Sequence, residues 1–155
     1  MSETVSTEMA TVDDVSVVTS EVHLANVMKS LSGASTMIVS TVQGDDFEAR
    51  SKVVNAVVNA EPLEDSLGEV IELVDWVAHI VTFINEDKVE EQGIRTVLIA
   101  ADGSAFSAMS KGVNSALANL VGVLGHPSIW PNPVKVVANK RKGRNGYSFT
   151  TLNLA

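Results

Sequence analysis

The stretch that decides the fold is VIELVDWVAHIVTF, residues 70–83. It is dense in β-branched and aromatic residues, which favour strands. Its apolar residues occupy both alternating faces, with Val70, Val74, Trp76 and Ile80 on one and Ile71, Leu73, Val77 and Phe83 on the other. A strand with two apolar faces over this length is typical of one that bends across a small barrel. The sequence therefore predicts a long curved strand in a mainly β protein.

Two shorter strands are predicted directly after it. NEDKVEEQG (residues 85–93) is predicted as a polar loop, and IRTVLIA (residues 94–100) as the second strand. The tripeptide ADG then makes a tight turn into SAFSAMS (residues 104–110), the third strand. These three strands form an antiparallel meander.

A helix and a final hairpin complete this half of the chain. Ser110 is placed to cap the helix, apolar residues recur at helical spacing, and Gly125 ends it. VKVVANK (residues 134–140) and YSFTTLNL (residues 147–154) are the last two strands. The order β-β-β-α-β-β over residues 67–155 is that of the five-stranded OB-fold barrel.

The preceding residues are predicted as an arm and an α/β extension. Residues 1–19 are acidic and resemble a disordered arm. Residues 20–66 form a helix from Ser20, a short strand over residues 36–42, and a helix over residues 45–60 that an aspartate caps. The second helix carries an apolar stripe that could pack on a partner.

Several classes of protein are excluded by what the sequence lacks. There is no cysteine, so disulfides and thiolate metal sites are ruled out. No apolar stretch is long enough for a membrane span, and the N-terminus has no signal-peptide core. His23, His79 and His126 are isolated, and no catalytic motif is present. We expect a soluble, cytoplasmic, non-enzymatic protein without cofactor, metal or membrane partner.

The net charge of −8 conceals a strong asymmetry. All 19 acidic residues lie between Glu3 and Asp102, so residues 1–102 carry a balance of −14 and residues 103–155 a balance of +6. Charges farther apart than about 8 Å are screened at physiological salt, so a polyanion feels a local patch more than the total. The charge pattern favours nucleic acid as a ligand, and two solvated charge runs are the alternative.

Basic residues crowd the turn between the last two strands. They are Lys140, Arg141, Lys142 and Arg144, with Lys135 upstream and Lys111 and Arg95 as further candidates. Tyr147 and Phe149 follow at a spacing of two, so both face one side of the final strand. Cations can follow phosphates while unpaired bases stack on rings. This segment therefore predicts a site for a single strand.

The remaining aromatic residues leave stacking and core roles open. Trp76 lies in the long strand, Phe106 in the third strand, and Trp130 in a proline-rich loop. Each is a candidate for stacking on bases, and packing in the barrel is somewhat favoured over it. For Phe149, which is near the chain end, a core position is favoured.

Three stretches carry a resemblance to a known family. They are FEARSKVVNAVVNA (residues 47–60), RTVLIAADGSAFSAMSKGVNSAL (residues 95–117) and GHPSIWPNPVKV (residues 125–136). With the terminal hairpin they cover residues 36–154 and resemble the phage and mobile-element single-stranded DNA-binding proteins of Gram-positive bacteria. The resemblance implies coating of exposed strands in replication and recombination in the bacterial host cell, with replication or recombination proteins as partners. Homo-oligomerisation remains open.

Two functions are compatible with the sequence. The leading one is sequence-tolerant binding of single-stranded DNA. The alternative is a non-enzymatic structural or protein-interaction module of a phage particle with an OB-like barrel, which the overall acidity and the apolar helix around residues 47–58 support.

Overall fold

The computed structural model describes residues 38–155 together with Leu24. The predicted arm and the predicted helix from Ser20 lie outside the described residues. The described residues of the chain divide into two units, one that includes residues 80–93 and the other of residues 38–79 and 94–155. No helix in the described part is long and apolar enough to cross a membrane.

The described residues form seven strands, two α-helices and two short 3-10 turns. In chain order they are β1 (Ile38–Ser40), α1 (Phe47–Asn59), β2 (Glu61–Pro62), a turn at Leu63–Ser66, β3 (Val70–Ile84), β4 (Glu90–Ala100), β5 (Ala105–Ala108), α2 (Lys111–Leu124), a turn at Pro127–Ile129, β6 (Val134–Lys142) and β7 (Ser148–Leu154). The described part of the chain is mainly β with helices, as the sequence predicts.

One mixed sheet contains all of these strands. Its order is β2-β5-β4-β3-β6-β7, and β1 pairs with β3 in addition. β6 pairs antiparallel with the first residues of β3, where Val70 lies opposite Val137, and β1 pairs with its later residues, where Val77 lies opposite Ser40. β2 runs parallel to β5. The long strand β3 therefore organises the sheet from its centre.

The curled sheet carries an apolar cluster on each face. The inner cluster joins the sheet to α2 and comprises Leu63, Ile71, Leu73, Leu98, Ala100, Val113, Leu117, Val136, Ala138 and Leu152. The outer cluster lies under α1 and comprises Ala56, Val77, Val97, Ile99 and Ala105. Burial on both faces explains why β3 and β4 are apolar at consecutive positions.

The predicted alternation along β3 is wrong beyond Leu73. Leu73 and Trp76 lie on the face of the inner cluster, whereas Val74 and Val77 lie on the face of the outer cluster. The alternation of side chains between the two faces shifts by one residue at Asp75. A β-bulge has this effect. Asp75 lies on the outer side, where its carboxylate accepts a hydrogen bond from the Thr41 hydroxyl at 2.9 Å. Trp76 and Val74 therefore do not share a face.

Both helices begin at the predicted caps. The Asp46 side chain accepts a hydrogen bond from the Ala49 amide at 2.8 Å and starts α1. The Ser110 hydroxyl accepts one from the Gly112 amide at 3.1 Å and starts α2. Gly125 ends α2 with a φ of 79°, a positive value that glycine adopts without strain. These local predictions are confirmed.

The loop predicted over residues 85–93 is shorter in the structure. Asn85 donates its amide hydrogen to the Val89 carbonyl at 3.0 Å, and its side chain accepts from the Val89 amide at 2.9 Å. β4 begins immediately afterwards at Glu90. The prediction is wrong for residues 90–93, because backbone groups make the strand pairing and exposed polar side chains do not prevent it.

Candidate nucleic-acid interface

The β6–β7 hairpin brings the predicted basic segment together. Its register places Lys142 opposite Ser148, Arg141 opposite Phe149, and Lys140 opposite Thr150. Strand β6 ends at Lys142, two residues later than predicted. All four cations of the segment, hereafter the hairpin cations, are exposed: Lys140, Arg141, Lys142 and Arg144.

A short turn closes the hairpin and presents Arg144. The Gly143 amide donates to the Tyr147 carbonyl at 2.8 Å, and the Gly146 amide donates to the Gly143 carbonyl at 3.1 Å. Gly146 has a φ of 79°, which glycine alone adopts readily. A turn followed by such a glycine is a common three-residue hairpin connection. It leaves the Arg144 side chain in solvent at the tip.

The hairpin cations lie on both faces of the two-stranded ribbon. Successive residues of a strand point to opposite faces, so Lys140 and Lys142 share one face and Arg141 lies on the other, with Phe149. Within the described part of the chain, Lys140 is the only hairpin cation in salt-bridge contact with a carboxylate. The remaining three are available to an anion.

Glu64 is an acidic neighbour of the hairpin cations. Its carboxylate lies 3.2 Å from the Lys140 ammonium and accepts a hydrogen bond from the Thr150 hydroxyl at 3.3 Å. The 3-10 turn at Leu63–Ser66 carries it to the hairpin. No sequence signal predicts this contact, because Glu64 and Lys140 are far apart in the chain and the turn has no periodic pattern.

The two rings of the hairpin are both accessible. Tyr147 is 79% exposed and Phe149 is 41% exposed. The position of Phe149 near the chain end favours a core role, whereas the structure leaves two-fifths of its surface open. Lys111, the first residue of α2, is exposed and lines the same cleft as Phe149. The hairpin and the start of α2 thus place cations beside rings.

Lys135 lies apart from this group. It is on β6 opposite Glu72 of β3, and it lines a cleft that also contains Glu69 and Asp102. Lys135 and Lys142 are seven positions apart on β6. This corresponds to a distance of about 23 Å at a rise of about 3.3 Å per residue. Carboxylates around Lys135 make this end of β6 less attractive to a polyanion than the hairpin end.

Four other residues that are predicted to bind nucleic acid make contacts within the protein. Arg95 donates to the Val57 carbonyl at 2.9 Å, at the last turn of α1. Phe106 packs against the inner cluster. Trp76 and Trp130 also pack there, with ring centroids 6.1 Å apart, and the Trp130 indole donates to the Gly125 carbonyl at 3.0 Å. The structure does not bring these residues to the hairpin.

A cleft of about 920 Å³ beside α1 has the opposite electrostatic character. Its lining includes the carboxylates of Asp46, Glu48, Glu61 and Asp75. Its one lining cation, Lys52, is paired with Asp75 at 3.3 Å. This cleft does not suit a phosphate backbone.

Comparison with known proteins adds to this geometry. A family model for phage single-stranded DNA-binding proteins of the phi29 type matches residues 32–155, which include the whole hairpin. The chain belongs to this family. Neither a search of curated proteins nor a search of solved structures gave a match.

Family membership decides between the two functions left open by the sequence. Phage single-stranded DNA-binding proteins act on exposed strands, so the chain binds single-stranded DNA in phage replication. The resemblance of residues 36–154 to phage single-stranded DNA-binding proteins is confirmed over nearly the same span. The single-stranded DNA-binding family also explains why a net anionic chain has an acid-free, basic C-terminal third.

Proposed function

We propose that the chain coats exposed DNA strands with little sequence preference, in replication and recombination, and that the hairpin cations and the rings of Tyr147 and Phe149 make the contact. The observation that carries this proposal is the concentration of cations and accessible rings on one hairpin. Only one of those cations has a carboxylate partner in the described residues.

The scaffold in this proposal is of the OB type. The order of β3, β4, β5, α2, β6 and β7 matches the five strands and the helix of that fold, and β6 returns antiparallel to β3. The β6–β7 turn then corresponds to one of the two loops that flank the ligand in OB folds, which are partly open barrels. In this proposal residues 67–155 are the barrel domain, and the described residues 38–66 belong to an extension that precedes it.

The contacts available on the hairpin account for a lack of sequence preference. Lysine and arginine bind phosphates, which are the same at every nucleotide. Rings stack on any base, because every base has a π-face. The same contacts favour single strands, since the bases of a duplex are already stacked on one another.

The test is a binding titration by fluorescence anisotropy with labelled oligo-dT, a mixed-sequence strand and a matched duplex. The variant carries Arg141→Gln, Lys142→Gln and Arg144→Gln together, hereafter the hairpin triple variant. We expect the wild type to bind both single strands at least tenfold more tightly than the duplex, and the triple variant to bind them more weakly.

Lys52→Gln provides the control for charge loss elsewhere. Lys52 is exposed on α1 and lies beside the acidic cleft. We expect it to bind single strands as the wild type does. Equal affinity of the wild type for duplex and single strand, or an unaffected triple variant, would refute the proposal.

A further inference from the structure

Asn145 and Gly146 lie in the turn of the β6–β7 hairpin and are the only Asn–Gly pair in the chain. Both residues are exposed. Gly146 has no side chain to shield its amide, and the space beside its Cα is open, with no atom within 4 Å of a Cβ built there. Among the residues that the structure describes, the Asn145 carboxamide makes no hydrogen bond. It can therefore turn toward the backbone nitrogen that follows it.

This pair of residues permits an intramolecular reaction, in which the attacking atom is already beside its target. The Gly146 nitrogen attacks Cγ of Asn145, so that a bond between these two atoms forms and the bond from Cγ to Nδ2 breaks. Nδ2 leaves as ammonia, which includes the proton that the Gly146 amide gives up, and a five-membered succinimide ring remains. Water then opens the ring at Cγ to give aspartate, or at the main-chain carbonyl carbon to give isoaspartate. Asparagine and water thus become an acid and ammonia, and nothing is oxidised or reduced.

The hairpin cations favour the attack. The Gly146 nitrogen gives up its proton to react, and nearby positive charge favours a deprotonated group. Arg144 directly precedes Asn145, and Lys142 is the last residue of β6. Within the described part of the chain, neither cation is in salt-bridge contact with a carboxylate that would offset its charge.

The other residue pair that can form a succinimide is held differently. Asp102 precedes Gly103 in the turn between β4 and β5. Its carboxylate accepts a hydrogen bond from the Ser104 amide at 2.9 Å. This bond, and then one from the Ser104 side chain, lower the pKa of Asp102. An ionised carboxylate that hydrogen bonds hold in place is a poor target for a nucleophile, so the structure favours reaction at Asn145.

We propose that Asn145 is a deamidation site, and that its conversion to an acid weakens the binding of single-stranded DNA by the hairpin. The effect on binding rests on the proposed function. The new carboxylate lies next to Arg144 in the chain, where it competes with phosphate for the guanidinium group. Isoaspartate also adds a carbon atom to the main chain of the turn and so alters the geometry that presents Arg144.

A backbone hydrogen bond links the reaction to the conformation of the turn. The Gly146 amide donates to the Gly143 carbonyl at 3.1 Å, and this bond must open before the nitrogen can attack. Exposed loops open locally at a low cost in free energy. DNA bound to the hairpin cations keeps the turn closed and raises that cost. Deamidation should therefore be slower in the complex with DNA than in the free protein.

The first measurement follows the chemical change itself. The full chain is incubated at mildly alkaline pH with and without excess oligo-dT, and its peptides are mapped by mass spectrometry. We expect acid to accumulate at position 145 faster than at any other asparagine, and about threefold or more slowly with oligo-dT present. Asn145→Gln is the control, because a glutamine side chain would have to form a larger ring. This variant should gain no acid at position 145 and should bind oligo-dT as the wild type does.

The second measurement follows the effect on binding. Asn145→Asp reproduces one product of the reaction, and we expect it to bind oligo-dT about two- to fivefold more weakly than Asn145→Gln at low salt, the effect of one exposed charge. Wild-type protein should lose affinity during the same incubation, whereas Asn145→Gln should keep it.

The outcomes separate this inference from the proposed function. If Asn145 remains an amide while other asparagines react, or if Asn145→Asp binds as tightly as Asn145→Gln, the inference is wrong. Equal rates of deamidation with and without oligo-dT would refute the link to the turn. Weakened binding by the hairpin triple variant would still support the proposed function in these cases. If the triple variant binds like the wild type, the proposed function itself fails.

Discussion

Glu64 holds one hairpin cation away from phosphate. Its carboxylate pairs with Lys140 at 3.2 Å, and the Lys140 side chain is 47% exposed. A solvent-exposed ion pair is worth little, about 0–1 kcal/mol, so a phosphate can compete for the ammonium group. Lys52 and Asp75 form a comparable pair at 3.3 Å, and the Lys52 side chain is likewise 47% exposed. The two pairs differ in where they lie and in the burial of the carboxylate, since the Asp75 side chain is 16% exposed and the Glu64 side chain is 61% exposed.

Removing the Glu64 charge should therefore strengthen binding. We expect Glu64→Gln to raise affinity for oligo-dT by about two- to fivefold at low salt, since Lys140 becomes free for phosphate. The matched substitution Asp75→Asn frees Lys52 beside the acidic cleft and should have no such effect. Anisotropy titrations of the two variants make the comparison. Equal gains from both would show only a general effect of net charge.

His79 makes stability depend on pH. Its Nδ1 atom is buried without a hydrogen-bond partner among the described residues. Burial, and then the nearby Arg95 guanidinium, lower the pKa of His79 from its usual value of 6.5. The unfolded chain thus binds a proton more readily than the folded one. The stability from a neutral His79 is complete above pH 6.5 and is lost as the pH falls toward the lowered pKa.

Urea unfolding of the wild type and His79→Gln at pH 8 and pH 5.5 tests this. We expect the wild type to lose more unfolding free energy than the variant between the two pH values. Parallel pH dependence in the two proteins would show that His79 is not the responsible group.

At the scale of elements, α2 contains two glycines in contrasting surroundings. Gly112 lies against β7, where an added Cβ would collide with the Thr150 carbonyl oxygen. Gly122 has open space around the same position. Glycine within a helix is less favourable than alanine by about 1 kcal/mol, so only packing explains the glycine at position 112.

Alanine substitutions at these two glycines should therefore change the unfolding free energy in opposite directions. We expect Gly122→Ala to raise the unfolding free energy by roughly 0.5–1 kcal/mol. Gly112→Ala should lower it by about 1–3 kcal/mol, the usual cost of overpacking. Denaturant unfolding monitored by circular dichroism measures both. A stabilising Gly112→Ala would mean that α2 does not pack on β7 as described.

Features that depend on residues nearby in the sequence could be predicted, whereas features that depend on pairing between strands could not. Asp46, Ser110 and Gly125 bound their helices as predicted, because a cap depends on residues a few positions away. The shift in side-chain alternation at Asp75 and the early start of β4 depend on the strands that pair with β3 and β4. Periodicity within one segment carries no information about either.

At the scale of the whole molecule, the sequence locates the basic charge but not its neighbours. The cations of residues 140–144 stay together because they share one hairpin. Lys135 belongs to the same basic stretch of sequence, yet β3 brings Glu72 opposite it. Trp76 and Trp130 are candidates for stacking by residue type, and the fold packs them against each other. Contacts between distant segments decide which predicted residues can share a site.

The dependence of single-strand affinity on salt concentration tests whether the hairpin cations bind the phosphates of the DNA. Neutralising three to five phosphates on a single strand predicts a slope of log affinity against log salt of about −2 to −3.5, from about −0.7 per phosphate. The hairpin triple variant should have a slope shallower by about 2, because three phosphate contacts are lost. Identical slopes for the wild type and this variant would show that the hairpin cations do not bind phosphate and would place the DNA elsewhere on the protein.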